Sequence, residues 1–145
     1  MSSVTENKKA DQVLIKYQKS YDSAIAILLS SKKGLKPQAV FDFISISQFS
    51  IHLTEQVLNK TLKTFTTYKQ NNTLLDSVVS EKLLKLFALY GKGISIFGSA
   101  DEFNKWLAEP AFGLGKQVPR NLLDTITGID LVKEELFRIE YGDLA

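Results

Sequence analysis

Apolar positions recur at intervals of three and four along most of the chain, the period of helices that pack on one side. Leu14, Tyr17, Tyr21, Ile25 and Leu28 predict an amphipathic helix from Ala10 to Ser31, closed by Lys32, Lys33 and Gly34. Pro37 suits the first turn of a second helix, with Val40, Phe41, Phe43 and Ile44 on its buried side. Phe49 to Leu58 reads as a third helix and Asn59 as a turn. Lys60 to Gln70 reads as a fourth helix that turns Leu62 and Phe65 inward. Asn71 and Asn72 interrupt the pattern before the longest predicted helix, Val78 to Phe97, whose stripe is Leu83, Leu86, Phe87, Tyr90, Ile94 and Phe97. Glu81 stands four residues before Lys85, a spacing that allows an ion pair on that helix. Gly91 and Gly93 in its interior require either a close crossing by another helix or a bend.

From Ser99 onward the residue types become more specific. Ser99 and Glu102 form a capping-box pattern at the start of a short helix with Phe103, Trp106 and Leu107 on one face, and Pro110 stops it. Gly113 and Gly115 predict a compact loop before Pro119, which opens a short helix over Arg120 to Leu123. Asp124 or Thr125 caps the last helix, whose stripe is Ile129, Val132, Leu136 and Ile139 and which ends near Gly142.

The pattern predicts an all-α protein of about six to eight helices with no sheet. Two short helices, a tight turn and a third helix form the order of a helix-turn-helix, in which the helix after the turn enters the major groove. Its outward residues, the DNA-binding candidates, are Lys60, Lys63, Thr64, Thr67, Tyr68 and Lys69. The expected division is a flexible start over 1–12, a helix-turn-helix-like DNA-binding and dimerisation module over 13–77, and a connecting helix with a C-terminal domain over 78–145.

The C-terminal residues resemble the toxin-binding domain of the Xre/MbcA/ParS antitoxins. The resemblance rests on Trp106-Leu107 with Pro110, on Leu114-Gly115 and Pro119, and on Leu122-Leu123-Asp124-Thr125 with Gly128. Val132, Leu136 and Arg138-Ile139-Glu140-Tyr141-Gly142 complete it. It implies a type II antitoxin, with an Xre-like helix-turn-helix ahead of the toxin-binding domain and a cognate toxin of the RES type, which destroys NAD, as partner. On that basis the chain neutralises the toxin by occluding its active site and represses its own operon as a homodimer. The expected contacts are Arg138, Glu140, Tyr141, Gly142 and Asp143, at the end of the last helix. One departure from the family concerns DNA. Related antitoxins usually carry arginines on the reading helix, whereas the only arginines here are Arg120 and Arg138. Lysine neutralises phosphate but lacks the planar fork that reads guanine. Two alternatives therefore stay open: a stand-alone helix-turn-helix regulator, and a toxin-binding module that has lost DNA binding.

Charge changes the picture by its placement. The net charge is only +2, yet residues 1–98 hold 13 lysines against 7 acids, and residues 99–145 hold 5 basic residues against 9 acids. A lysine-rich front half favours an anionic partner such as operator DNA, and the acidic remainder suits a different one. Cysteine is absent, which fits a reducing compartment, and no apolar run approaches the ~20 residues that span a bilayer, so a cytoplasmic protein is expected. Catalysis and cofactors are not expected. His52 is the single histidine, and Gly113-Leu114-Gly115-Lys116 fails as a phosphate loop because Pro110 and Gln117 stand where glycine and Ser or Thr are required.

Overall fold

The computed structural model describes residues 2–142, with side chains from residue 8 onward, as eight α-helices, two short 3-10 helices and no strand. In order these are α1 (Ser2–Tyr21), α2 (Ala24–Lys33), α3 (Gln38–Ser47), α4 (Ile51–Leu58), α5 (Leu62–Gln70), α6 (Ser77–Phe97), α7 (Ala100–Leu107) and α8 (Ile126–Glu140). The 3-10 helices Phe112–Leu114 and Pro119–Leu122 lie between α7 and α8.

Capping chemistry decides where these helices begin. Ser23, Ser50, Thr61, Asp76, Ser99 and Thr125 each accept a hydrogen bond from a backbone N–H of the first turn that follows. Ser23 accounts for one correction. The pattern over Ala10 to Ser31 predicts one helix, but Ser23 takes an extended conformation to cap α2, so the chain breaks after Tyr21. Helix α1 also extends back through residues 2–12, where a flexible start is expected, and Ala10 within it is buried. Only half of the Ser99–Glu102 pattern forms: the serine hydroxyl accepts from the Glu102 N–H, while the glutamate carboxylate turns to Lys105, 3.2 Å away.

Helix α6 is the axle of the molecule. Leu83, Leu84, Leu86, Phe87, Leu89 and Tyr90 are all buried, so its apolar surface is wider than the single predicted stripe, because α1, α2, α7 and α8 all pack against it. Of the two causes open for the interior glycines, Gly93 shows the close crossing, whereas Gly91 has only ordinary contact with Tyr21. A Cβ on Gly93 would sit 2.4 Å from the ring of Phe103, so α7 crosses α6 where there is no side chain. The predicted Glu81–Lys85 pair does not form, since Lys85 reaches across to Asp130 of α8 at 2.8 Å. On α3 the buried side is Ala39, Val40, Phe43 and Ile46, whereas Phe41 and Ile44 are only partly covered.

Two polar links tie the first half of the chain to the second. Tyr90 on α6 donates to Asn104 of α7, whose amide donates to the Ile46 carbonyl of α3 at 3.0 Å. The Lys82 ammonium, almost wholly enclosed, donates to the carbonyls of Val57 at 2.8 Å and Asp124 at 2.6 Å. Burial pulls the Lys82 pKa below its ordinary value, and the nearby Asp124 charge only partly opposes that. No helix among the described residues is long and apolar enough to cross a membrane.

Candidate functional site

The segment from Ser99 to Gly142 folds around α8. Pro119 opens the second 3-10 helix at its first turn, as its fixed φ favours. Thr125 then caps α8, and Ile129, Val132 and Leu136 turn inward. The helix starts unusually close to the preceding chain. A Cβ on Gly128 would lie 1.7 Å from the Leu122 carbonyl oxygen, so only glycine fits there. The loop between Pro110 and Pro119 is compact: the Ala111 and Lys116 N–H groups donate to Gln117 and Ala111 carbonyls, and Gly115 and Lys116 take left-handed conformations.

The last turns of α8 are held from two sides. On one side the Glu135 carboxylate is 2% exposed and accepts from Arg138 Nε at 2.8 Å, with the loop at Gly113 laid directly over it. A buried carboxylate needs such a partner, and the pairing fixes the arginine in turn. On the other side Lys92 of α6 ion-pairs with Glu140 and stands 4.6 Å from the centroid of the Phe137 ring. Tyr141 stacks nearly parallel on Phe137 and is 70% exposed, and Gly142 turns out of the helix with φ +74°.

The structure therefore sorts the five predicted toxin contacts. Arg138, Glu140, Tyr141 and Gly142 share the end of α8, but they do not form one face. Arg138 leans toward the 111–117 loop and Glu140 toward α6, while Tyr141 projects. Asp143 lies outside the described residues. Sequence reasoning missed Phe112, which is 80% exposed on the loop beside Gly113 and thus next to the Glu135–Arg138 pair. An aromatic between two small residues in a glycine-rich loop is the signal that could have found it.

The predicted DNA-binding residues are less unified. Lys60 lies before the N-cap of α5 and sits 3.9 Å from Asp76. Lys63 and Thr67 are exposed on α5, Tyr68 packs edge-on against the buried Phe65, and Lys69 covers the Phe41 ring at 5.1 Å. The threonine hydroxyls are engaged locally: Thr64 with Thr61, Thr66 with the Leu62 carbonyl, and Thr67 with the Lys63 carbonyl. Among the described residues no group of three or more His, Cys, Asp or Glu side chains could hold a metal ion.

A shallow groove of about 180 Å³ runs between α2, α6 and α8. Its floor includes Ile27, Leu89, Ile129 and Phe137, and Lys92 and Lys133 stand at its edge.

No curated protein matches this chain. Residues 92–142 match the family model of the antitoxin Xre/MbcA/ParS C-terminal toxin-binding domain, a segment that opens in the last two turns of α6 and closes at the end of α8. That match supports an antitoxin role with a cognate toxin as the partner of this part of the chain.

Proposed function

We propose that the chain is the antitoxin of a type II toxin-antitoxin system and that it neutralises a RES-type, NAD-degrading toxin by placing the end of α8 over the toxin's active site. The observation that carries this reading is the exposed Tyr141 on a helix end braced by Glu135–Arg138 and Lys92–Glu140, inside the segment that matches a toxin-binding domain. A projection that excludes substrate must not yield, and both braces stiffen it before any partner arrives. Aromatic and arginine side chains are also the residue types that most often anchor interfaces. Phe112 adds a second exposed aromatic on the Arg138 side. In this reading the protein is cytoplasmic and dimeric, and its lysine-rich half binds the promoter of its own operon.

The experiment measures cellular NAD and growth when the adjacent reading frame is expressed alone, with the full chain, or with a chain ending at Glu140. That truncation keeps both braces, whereas one beginning at Arg138 would strip the buried Glu135 of its partner. The full chain is expected to restore NAD and the shortened chain to fail while melting at nearly the same temperature. Protection by the shortened chain would overturn active-site occlusion by the tail, and a harmless neighbour would overturn the toxin class.

A second reading, a toxin-binding module that has lost DNA binding, is favoured by α5 itself. Its threonine hydroxyls are engaged locally and it carries no arginine, which leaves Lys63 and Lys69 for phosphate contact. Salt-sensitive promoter binding that disappears in Lys63→Glu/Lys69→Glu supports the regulator, and its absence in the unaltered chain supports the module.

A further inference from the structure

Helix α2 presents an apolar ridge that none of the described residues covers. Ile25, Leu28 and Leu29 are 60%, 47% and 61% exposed, at the i, i+3 and i+4 spacing that lines one side of a helix. Ile27, by contrast, turns inward to the groove against α6 and α8. No residue from Ala24 to Ser31 is charged. The ends of the ridge are charged and opposite: Asp22 stands just before the helix, and Lys32 and Lys33 close it.

We propose that this ridge is the two-fold interface between two copies of the chain, with the two α2 helices antiparallel. Only the dimer of the proposed function is presupposed here, not the toxin. The charge order identifies the occupant. Around a two-fold axis a surface meets itself, so each residue i contacts j while j contacts i. Antiparallel apposition centred near Leu28 brings Asp22 of each copy against Lys32 and Lys33 of the other, and packs the aliphatic side chains between those two charge pairs. A parallel arrangement would set Asp22 against Asp22 and lysines against lysines. Antiparallel packing also opposes the two helix dipoles favourably. A surface of one charge sign would be matched at one end of the ridge and repelled at the other. One helix supplies only part of the roughly 800 Å² per partner of a standard interface, so the dimer should be reversible, with dissociation in the micromolar range.

Sedimentation velocity of the full chain over a concentration series tests this. The unaltered chain is expected to pass from monomer to dimer as concentration rises. Leu29→Asp should raise the dissociation constant at least tenfold with little change in the melting temperature of the dilute, monomeric chain, since most of the side chain is already in water. Asp22→Lys and the pair Lys32→Asp/Lys33→Asp should each weaken self-association. Mixed together, those two charge variants should recover a heterodimer, because one charge pair is restored with reversed sign and the other is the native pair. A chain monomeric at every concentration overturns the dimer and this interface together. A dimer unaffected by Leu29→Asp and by the charge variants leaves the dimer standing and overturns the α2 interface. Unchanged sedimentation with loss of toxin capture in Leu29→Asp assigns the ridge to the toxin and overturns the proposal.

Discussion

The outer face of α5 and the end of α8 are the two places where this protein was expected to meet a partner, and they are built differently. Around α8 the polar groups reach across elements: Arg138 to a buried carboxylate under a loop, Glu140 to a lysine of α6. Around α5 the threonine hydroxyls fold back locally, while Phe65, Leu62 and Tyr68 pack on the core, Glu55 of α4 accepts from the Leu62 N–H and Lys69 lies over Phe41. The first arrangement fixes a shape before contact, which suits exclusion of a small substrate from a protein cleft. The second offers exposed lysines on a helix whose threonine hydroxyls are satisfied within it, which suits, at most, attraction to a polyanion. Charge alone would have ranked the lysine-rich half as the better-defined site, and the geometry reverses that order.

The braced side should break first. Gly128→Ala places a methyl group into the Leu122 carbonyl, and a loss of about 3 kcal/mol is expected in urea unfolding, together with loss of toxin capture. Arg138→Ala leaves the Glu135 carboxylate buried without its partner. About 2 kcal/mol should be lost, and Glu135→Gln in the same chain should recover part of it, which a double-mutant cycle reads directly.

A smaller effect belongs to a cluster in the first half, around Asp42. Burial opposes ionisation of its carboxyl, but hydrogen bonds from Lys16 at 2.8 Å, Tyr17 at 2.5 Å and Gln38 at 3.0 Å outweigh it and hold the pKa below the ordinary value. The native pKa is therefore lower than the unfolded one. Its contribution is fully present above a pH of about 4 and fades as pH falls through the native value. Asp42→Asn should cost about 1 kcal/mol at neutral pH and flatten the acid limb of the stability profile. The smallest change is expected on α5. Lys63→Glu should alter stability by no more than about 0.5 kcal/mol and leave toxin capture intact, so a larger loss would show that α5 is as firmly committed as α8.

Much of this architecture was legible because it is local. The caps at Ser99 and Thr125, the proline opening at Pro119 and the turn at Asn59 each depend on a few neighbouring residues. What stayed hidden depends on distant ones. The period of three and four runs unbroken through Tyr21 and Ile25, and only the extended Ser23 splits α1 from α2. Lys85 had a partner at helical spacing in Glu81, yet Asp130, far away in sequence, was the one in reach. Phe41 and Ile44 fit the apolar stripe of α3 as well as Phe43 and Ile46 do, and packing from α1, α6 and α7 settled which pair went inside. At the candidate site, the residue types at the end of α8 were visible, but the directions of Arg138 and Glu140 were not, because Glu135 and Lys92 carry no motif.

The family match opens at residue 92, part of the way along a helix that is buried on nearly every side. The matched segment therefore holds only part of the core on which it packs. A peptide of residues 92–142 would keep Phe103, Leu107 and Leu136 but lose Leu83, Leu86, Phe87 and Tyr90, the surface on which they condense. Heritable segment and cooperative unit are therefore expected to differ, with the whole chain melting in one transition.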